Sequence, residues 1–215
     1  MAAVRHPLLL IFTASFLSAL GLRLVEAGEV PWALSRASGL AAFGTLLLAT
    51  IGGLLVSTKV GDGVISRPFA FEMHQFLSVL SLVLIAVHAG SLLFDGFLGF
   101  TPASLLIPFA SSYRPLAVAL GVVAAWLASI TTASYWMRRQ IGQKRWRALH
   151  YATFIAYLGA LWHGIAAGTD TQVTVIYWGY LMSGAAVCAL LMLRIVGYSA
   201  VPRRRPAPEA GRRAA

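Results

Sequence analysis

The sequence predicts an all-α membrane protein, a bundle of six transmembrane helices, and three observations carry that expectation. Hydrophobic residues make up 59% of the 215-residue chain and charged residues only 11%, where a soluble domain carries about 25% charged residues. Six apolar runs are long enough for a hydrocarbon core about 30 Å thick, which takes roughly 20 helical residues. The runs are also too long and too uniformly apolar to be barrel strands, which leaves the helix as the spanning element that satisfies its own backbone.

The runs cover residues 8–24, 37–56, 73–94, 116–137, 148–167 and 173–193. Between them stand loop signals: Gly28 to Pro31, Gly61 to Pro68, Asp95 to Pro115, the basic stretch after Met137, and Gly168 to Thr171. Residues 1–199 therefore read as one transmembrane domain. Residues 200–215 are rich in Pro, Ala and Arg with no apolar period, the composition of a disordered basic tail. The first run, with Arg5 before it and Val25-Glu26-Ala27 after it, also has the outline of a cleavable signal peptide. The short stretch from Gly28 to Ser35 leads directly into another span, which favours its retention as a helix.

Positive charge orients such a bundle. With the amino terminus inside, every Lys and Arg except Arg23, Arg36 and Arg114 falls on the cytoplasmic side, so both termini are expected in the cytoplasm of a cell with this protein in its inner membrane. The formal charge of +10 lies in clusters beside apolar spans, which points to insertion topology and anionic membrane lipid rather than to nucleic acid. The single cysteine, Cys188, excludes an internal disulfide framework or thiolate cluster and reads as a buried structural thiol.

Four of the five histidines lie inside predicted spans: His74 and His88 in the third, His150 and His163 in the fifth. His6 precedes the first span and reads as a solvated terminal residue. Ionisable side chains in lipid are expensive and face the bundle interior. The two pairs are fourteen and thirteen residues apart, about 20 Å on a helix. Since the third and fifth spans run parallel, His74 is expected level with His150 near the inner face, and His88 level with His163 near the outer face. Two imidazoles from two helices at one level suit axial ligation of a haem iron, so the expected cofactors are two b-type haems. One feature of the spacing is untidy: His163 falls about 140° around an ideal helix from His150, which implies distortion of the fifth helix near Gly159 or approach from two sides. A zinc or two-metal centre fits less well, because it needs three or four ligands at one point, and the spans hold no Asp or Glu.

The stretches HQFLSVLSLVLIAVH (His74 to His88) and KRWRALHYATFIAYLGALWH (Lys144 to His163) resemble the ferric reductase-like transmembrane domain. That family includes ferric reductases, NADPH oxidases and the haem-binding membrane subunit of bacterial methionine sulfoxide reductase systems. The likeness covers roughly Arg36 to Arg194 and implies that His74, His88, His150 and His163 are the haem ligands of an oxidoreductase membrane subunit. In the enzymes of the family a flavin and nicotinamide domain follows the sixth helix, whereas here the short tail follows, and Gly61-Asp62-Gly63 lacks the strand that a dinucleotide fingerprint needs. The expected donor is thus a separate cytoplasmic flavoprotein, which would carry the FAD, or a quinol. The expected acceptor is ferric iron, oxygen or a reductase partner on the outer side.

Haem propionates need cations, and Arg67, Lys144 and Arg147 near the inner level, with Arg36 and Arg114 near the outer one, are the candidates. Phe154 and Tyr157 stand between the two levels, and Gly39 and Gly44 read as points of close helix contact. No residue is expected to be catalytic in itself. Two rival readings use the same histidines: a haem-binding sensor or structural module without turnover, and a proton-coupled transporter.

Overall fold

The computed structural model describes residues 30–58 and 66–199. The expected first span at 8–24, its cleavage motif, Lys59 and the tail 200–215 lie outside the described residues. Most of those described are helical, and no strand occurs among them: α1 (Val30–Thr58), α2 (Arg67–Leu92), a short α3 (Pro102–Leu106), α4 (Pro115–Ile141), α5 (Gln143–His150), α6 (Ala152–Ala167) and α7 (Thr174–Ser199), with a 3₁₀ turn at Asp170–Gln172 before the last. Four of them, α1, α2, α4 and α7, are long and apolar enough to cross a membrane.

Local chemistry sets the ends. Prolines stand in the first turns of α2 and α4, where the missing N–H would have had no helical partner. Gly142 closes α4 at φ +84°, a backbone conformation that glycine tolerates without steric cost. The helices overrun the apolar windows because helical backbone does not stop where hydropathy does. Thus α1 begins at Val30 and takes in Arg36, whose charge is met by Asp170 across the bundle end.

The expected fifth span is divided. Tyr151 separates α5 from α6, and the N–H groups of Tyr151 and Phe154 reach back three residues rather than four, to Ala148 and Tyr151. This tightened turn is where the helix departs from ideal phase. It replaces the distortion expected at Gly159, which instead packs closely on Leu120 and Ala124 of α4. The continuous apolar piece, α6, is only 16 residues long.

Packing runs in two close pairs. α1 lies along α2, and α4 lies along α6, while α7 covers α1 and α6. The pairs meet where α1 touches α6 and α2 touches α4, but α2 and α6 make no extended contact with each other, which leaves a gap between those two helices. Leu54 of α1, Tyr157 of α6 and Val187 of α7 form the buried core, with Phe43, Leu46 and Phe154 around it. Tyr157, expected between the two histidine levels, stacks on Phe43 at 5.9 Å and donates to Ser183 Oγ at 2.9 Å. Large apolar side chains such as Phe76, Val83 and Trp162 face outward, as they do where the surroundings are hydrocarbon. Cys188 is among the outward-facing residues, contrary to its expected burial. An apolar run on a spanning helix faces lipid as readily as core, and its composition does not distinguish the two.

The Tyr157 hydroxyl gives a direct check on this core. Tyr157→Phe is expected to lower the unfolding free energy in detergent by about 1 kcal/mol, the net contribution of one buried hydrogen bond. Tyr157→Ala is expected to cost about 3–5 kcal/mol through the cavity it leaves. Denaturant titration followed by far-ultraviolet circular dichroism measures both.

Candidate functional site

The gap between α2 and α6 holds two cavities, one above the other, and the four histidines stand in them as two pairs. The ring centroids of His74 and His150 are 6.0 Å apart with planes at 76°. Those of His88 and His163 are 6.1 Å apart with planes at 78°. The His74 cavity, of about 330 Å³, also takes in Tyr135, Trp146, Arg147 and Arg194. It lies at the end of the bundle that carries Arg138, Arg139, Lys144 and Arg145, called here the basic end. The His88 cavity, of about 200 Å³, is lined by Trp32, Arg36, Tyr113 and Tyr180 at the opposite, distal end.

Three of the four rings are held in the same way. His74 Nδ1 lies 2.8 Å from the Ala49 carbonyl oxygen, His88 Nδ1 2.8 Å from that of Ser35, and His163 Nδ1 2.8 Å from that of Ala117. A carbonyl only accepts, so in each ring Nδ1 carries the hydrogen and donates it, which leaves Nε2 of the neutral imidazole with a free lone pair. Each carbonyl belongs to the helix packed most closely on the histidine's own: α1 for the two α2 residues, α4 for the α6 residue.

Each of those carbonyls is followed, four residues later, by a glycine that faces the same ring. A Cβ at Gly39 would stand 2.8 Å from His88 Nδ1, at Gly121 2.6 Å from His163 Nδ1, and at Gly53 3.2 Å from His74 Cε1. The pairs Ser35/Gly39, Ala49/Gly53 and Ala117/Gly121 thus repeat one device. One turn of helix offers a carbonyl for the ring to bond and no side chain to obstruct it. The carbonyl has two lone pairs, so it keeps its helical partner as well.

His150 is the exception. Its ring stacks on Trp146 with centroids 5.2 Å apart and planes at 27°, and among the described residues neither its Nδ1 nor Trp146 Nε1 has a hydrogen-bond partner. It sits at the end of α5, next to the break at Tyr151, where no close-packed neighbouring helix presents a carbonyl.

The arginines named from sequence divide by what they touch. Arg36 pairs with Asp170, Nε to Oδ2 at 3.0 Å, and stands at the edge of the distal cavity. Arg114 donates to the Ala166 carbonyl at 2.5 Å and lies 5.4 Å from the Tyr113 ring centroid, so it ties the loop before α4 to the end of α6. Arg147 lines the basic-end cavity, while Arg67 is the first residue of α2 and lines neither. Lys144 lies on α5 outside the cavities. Arg194, not singled out from sequence, lines the basic-end cavity and donates to the Tyr151 hydroxyl at 3.2 Å. Gly53 and Gly121 were also missed. Of the two glycines that were read as contact points, Gly39 meets His88, but Gly44 has nothing near it.

Each pair can place two nitrogen donors on opposite sides of one metal centre. A metal–nitrogen bond of about 2 Å on each side, with the half-width of each ring, adds up to about 6 Å, the separation observed. Among the described residues no three His, Cys, Asp or Glu side chains converge, so those residues supply no set for a tetrahedral protein-only centre. No family model, curated protein or solved structure matches the chain.

The seating of His163 is open to a simple test. Gly121→Ala puts a methyl group into the ring and is expected to destabilise the protein by about 1–3 kcal/mol, the cost of overpacking. Gly44→Ala meets open space and is expected to be neutral, or stabilising by up to about 1 kcal/mol through helix propensity. Parallel unfolding curves of the two variants measure the difference.

Proposed function

We propose that this chain is a membrane electron-transfer subunit of the ferric reductase-like kind, binding two b-type haems between α2 and α6. The observation that carries the reading is the pairing itself: two facing imidazoles at each of two levels, with ring centroids 6.0 and 6.1 Å apart. His74 and His150 would hold one haem, His88 and His163 the other. When bound, haem supplies one-electron redox chemistry.

The chain's own residues perform the positioning. The Ser35, Ala49 and Ala117 carbonyls fix the tautomer and orientation of three rings and increase the electron donation of their Nε2 atoms, as partners of a ligating histidine do. Gly39, Gly53 and Gly121 allow those rings to lie within the helix interfaces. Trp146 holds the fourth ring by stacking. Fourteen residues separate the two levels on α2, about 20 Å along the axis, so the pairs would span most of the apolar core. Of the propionate candidates, Arg147 at the basic end and Arg36 at the distal end stand beside the cavities, and Arg194 joins them.

In this reading the basic end faces the cytoplasm, as the distribution of Lys and Arg favours. Exposed Arg139, Lys144, Arg145 and Arg147 there would attract an acidic electron donor, a separate flavoprotein carrying FAD, through salt-sensitive steering. A quinol reaching the same cavity from the bilayer is the other donor class. The acceptor, whether ferric iron, oxygen or an outer-side reductase, would meet the distal end.

Purified protein is expected to bind two haems with bis-imidazole spectra, counted by a pyridine haemochrome assay. His74→Ala and His150→Ala are expected to remove the same haem, and His88→Ala and His163→Ala the other. One haem in a fully loaded preparation, or spectrally different losses within a pair, would refute the arrangement. NADPH alone is expected to leave the haems oxidised. Reduction should appear on adding a cytoplasmic flavoprotein and should slow as salt is raised.

A further inference from the structure

The connection from α2 to α4, residues 93–114, plays no part in holding the histidines, yet it is built unlike a loop in water. No charged residue stands between Asp95 and Arg114. Several of its large apolar side chains point away from the protein, with Phe97 94%, Phe109 67% and Ile107 57% exposed. In water this would be an exposed apolar patch without a cover.

Much of its backbone is nevertheless satisfied from within the protein. Asp95 Oδ1 accepts from the N–H groups of Phe97 and Leu98 at 2.8 and 3.0 Å. Thr101 and Ser104 cap α3 reciprocally, each side chain accepting from the other's N–H. The Ile107 N–H reaches the Ala103 carbonyl, the Ala110 N–H that of Ile107, and the Tyr113 N–H the Ser111 hydroxyl. In hydrocarbon, backbone outside a helix is tolerated only where the protein itself covers it, and these bonds supply part of that cover.

The depth of the segment follows from one bond. Trp126 Nε1 donates to the Leu106 carbonyl at 3.0 Å. Trp126 lies well inside α4, five residues beyond Gly121, where His163 is seated. With Arg138 and Arg139 of the last turn of α4 taken as the edge of the hydrocarbon, a 30 Å core reaching back about 20 residues from them ends near Val118. Trp126 is then eight residues inside, about 12 Å along the axis before allowing for the backward lean of its side chain. The chain turns at Gly99 and again at Phe109, both with φ above +60°, on either side of α3. Leu98 and Leu105 reach the distal cavity beside His88.

We infer that residues 96–113 form a re-entrant segment: the chain dips into the distal leaflet, turns through α3, and returns without crossing. Its outer face, with Phe97, Leu106, Ile107 and Phe109, contacts lipid acyl chains. Its inner face, through Leu98 and Leu105, walls the distal histidine pair off from that lipid. The inference rests on α1, α2, α4 and α7 crossing a membrane, and is independent of what the histidines bind.

Collision accessibility tests it in the full chain. Single cysteines at Leu106, Ile107, Val83 and Gln172 are introduced in a Cys188→Ser background, spin-labelled, and reconstituted into phosphatidylcholine vesicles. Oxygen, which concentrates in hydrocarbon, and a water-soluble nickel chelate are the two relaxing agents. Labels at Leu106 and Ile107 are expected to match Val83 on α2, with oxygen collisions several-fold higher and nickel collisions several-fold lower than at Gln172 in the distal turn. Nickel access at Ile107 equal to that at Gln172 would make the segment a water-exposed cover and overturn the inference. Protection from both agents would mean that protein, not lipid, covers it, and would overturn the inference equally. A Val83 label that behaves like Gln172 would remove the membrane reading on which it stands, whereas loss of haem binding in any of these variants would not bear on it.

Discussion

The arrangement depends on seating an imidazole between two helices that are already in close contact. A histidine ring is too large for a tight helix interface unless the opposing helix gives up a side chain, and its Nδ1–H is too polar to be left unpaired in an apolar interior. One turn of helix meets both demands at Gly39, Gly53 and Gly121, with the carbonyls of Ser35, Ala49 and Ala117 one turn earlier. Because the rings are anchored to their own close-packed neighbours, the other ring nitrogen is left for the gap between the two helix pairs. Closing that gap would bring His74 onto His150 and His88 onto His163. The loose α2–α6 boundary is therefore a consequence of how tightly α1 holds α2 and α4 holds α6.

The same geometry explains why α7 matters although it carries no histidine. It packs on α1 and α6, its Ser183 accepts from Tyr157 while Tyr180 packs on Phe43 at 4.7 Å, and its Tyr180 and Arg194 each line one cavity. These contacts join one helix of each close pair. The Phe43–Tyr157–Tyr180 aromatic group thus ties the two pairs together without using the histidines. Gly164, where a Cβ would stand 2.7 Å from the Tyr180 ring and hydroxyl, lets that aromatic group sit close to α6.

Hydropathy alone reveals α1, α2, α4 and α7, because 20-odd apolar residues have few alternatives to a spanning helix. It misplaces their ends, since Arg36 is carried into α1 by Asp170, 134 positions later in the chain. It also reads residues 148–167 as a single rod, because a one-residue tightening at Tyr151 alters no composition. Nearly equal spacing of histidines on two parallel spans is visible in the sequence, and the four rings do lie in two pairs. What the pairs bind is not visible in the same way. The glycines were half legible: Gly39 and Gly44 look alike in the sequence, and only the position of the His88 ring separates them. Nothing marks the Ala49 or Ala117 carbonyl as an acceptor for a site histidine, because every residue has a carbonyl and only tertiary approach selects one.

The break at Tyr151 makes the two levels mechanically unequal. His163 stands within α6, bonded to the Ala117 carbonyl of α4 and seated against Gly121. His150 ends an eight-residue helix whose other side chains, apart from Trp146 and Leu149, lie exposed, and it is steadied by a stack rather than by a backbone anchor. Any body that binds α5 therefore has a short lever on one ring of the basic-end pair.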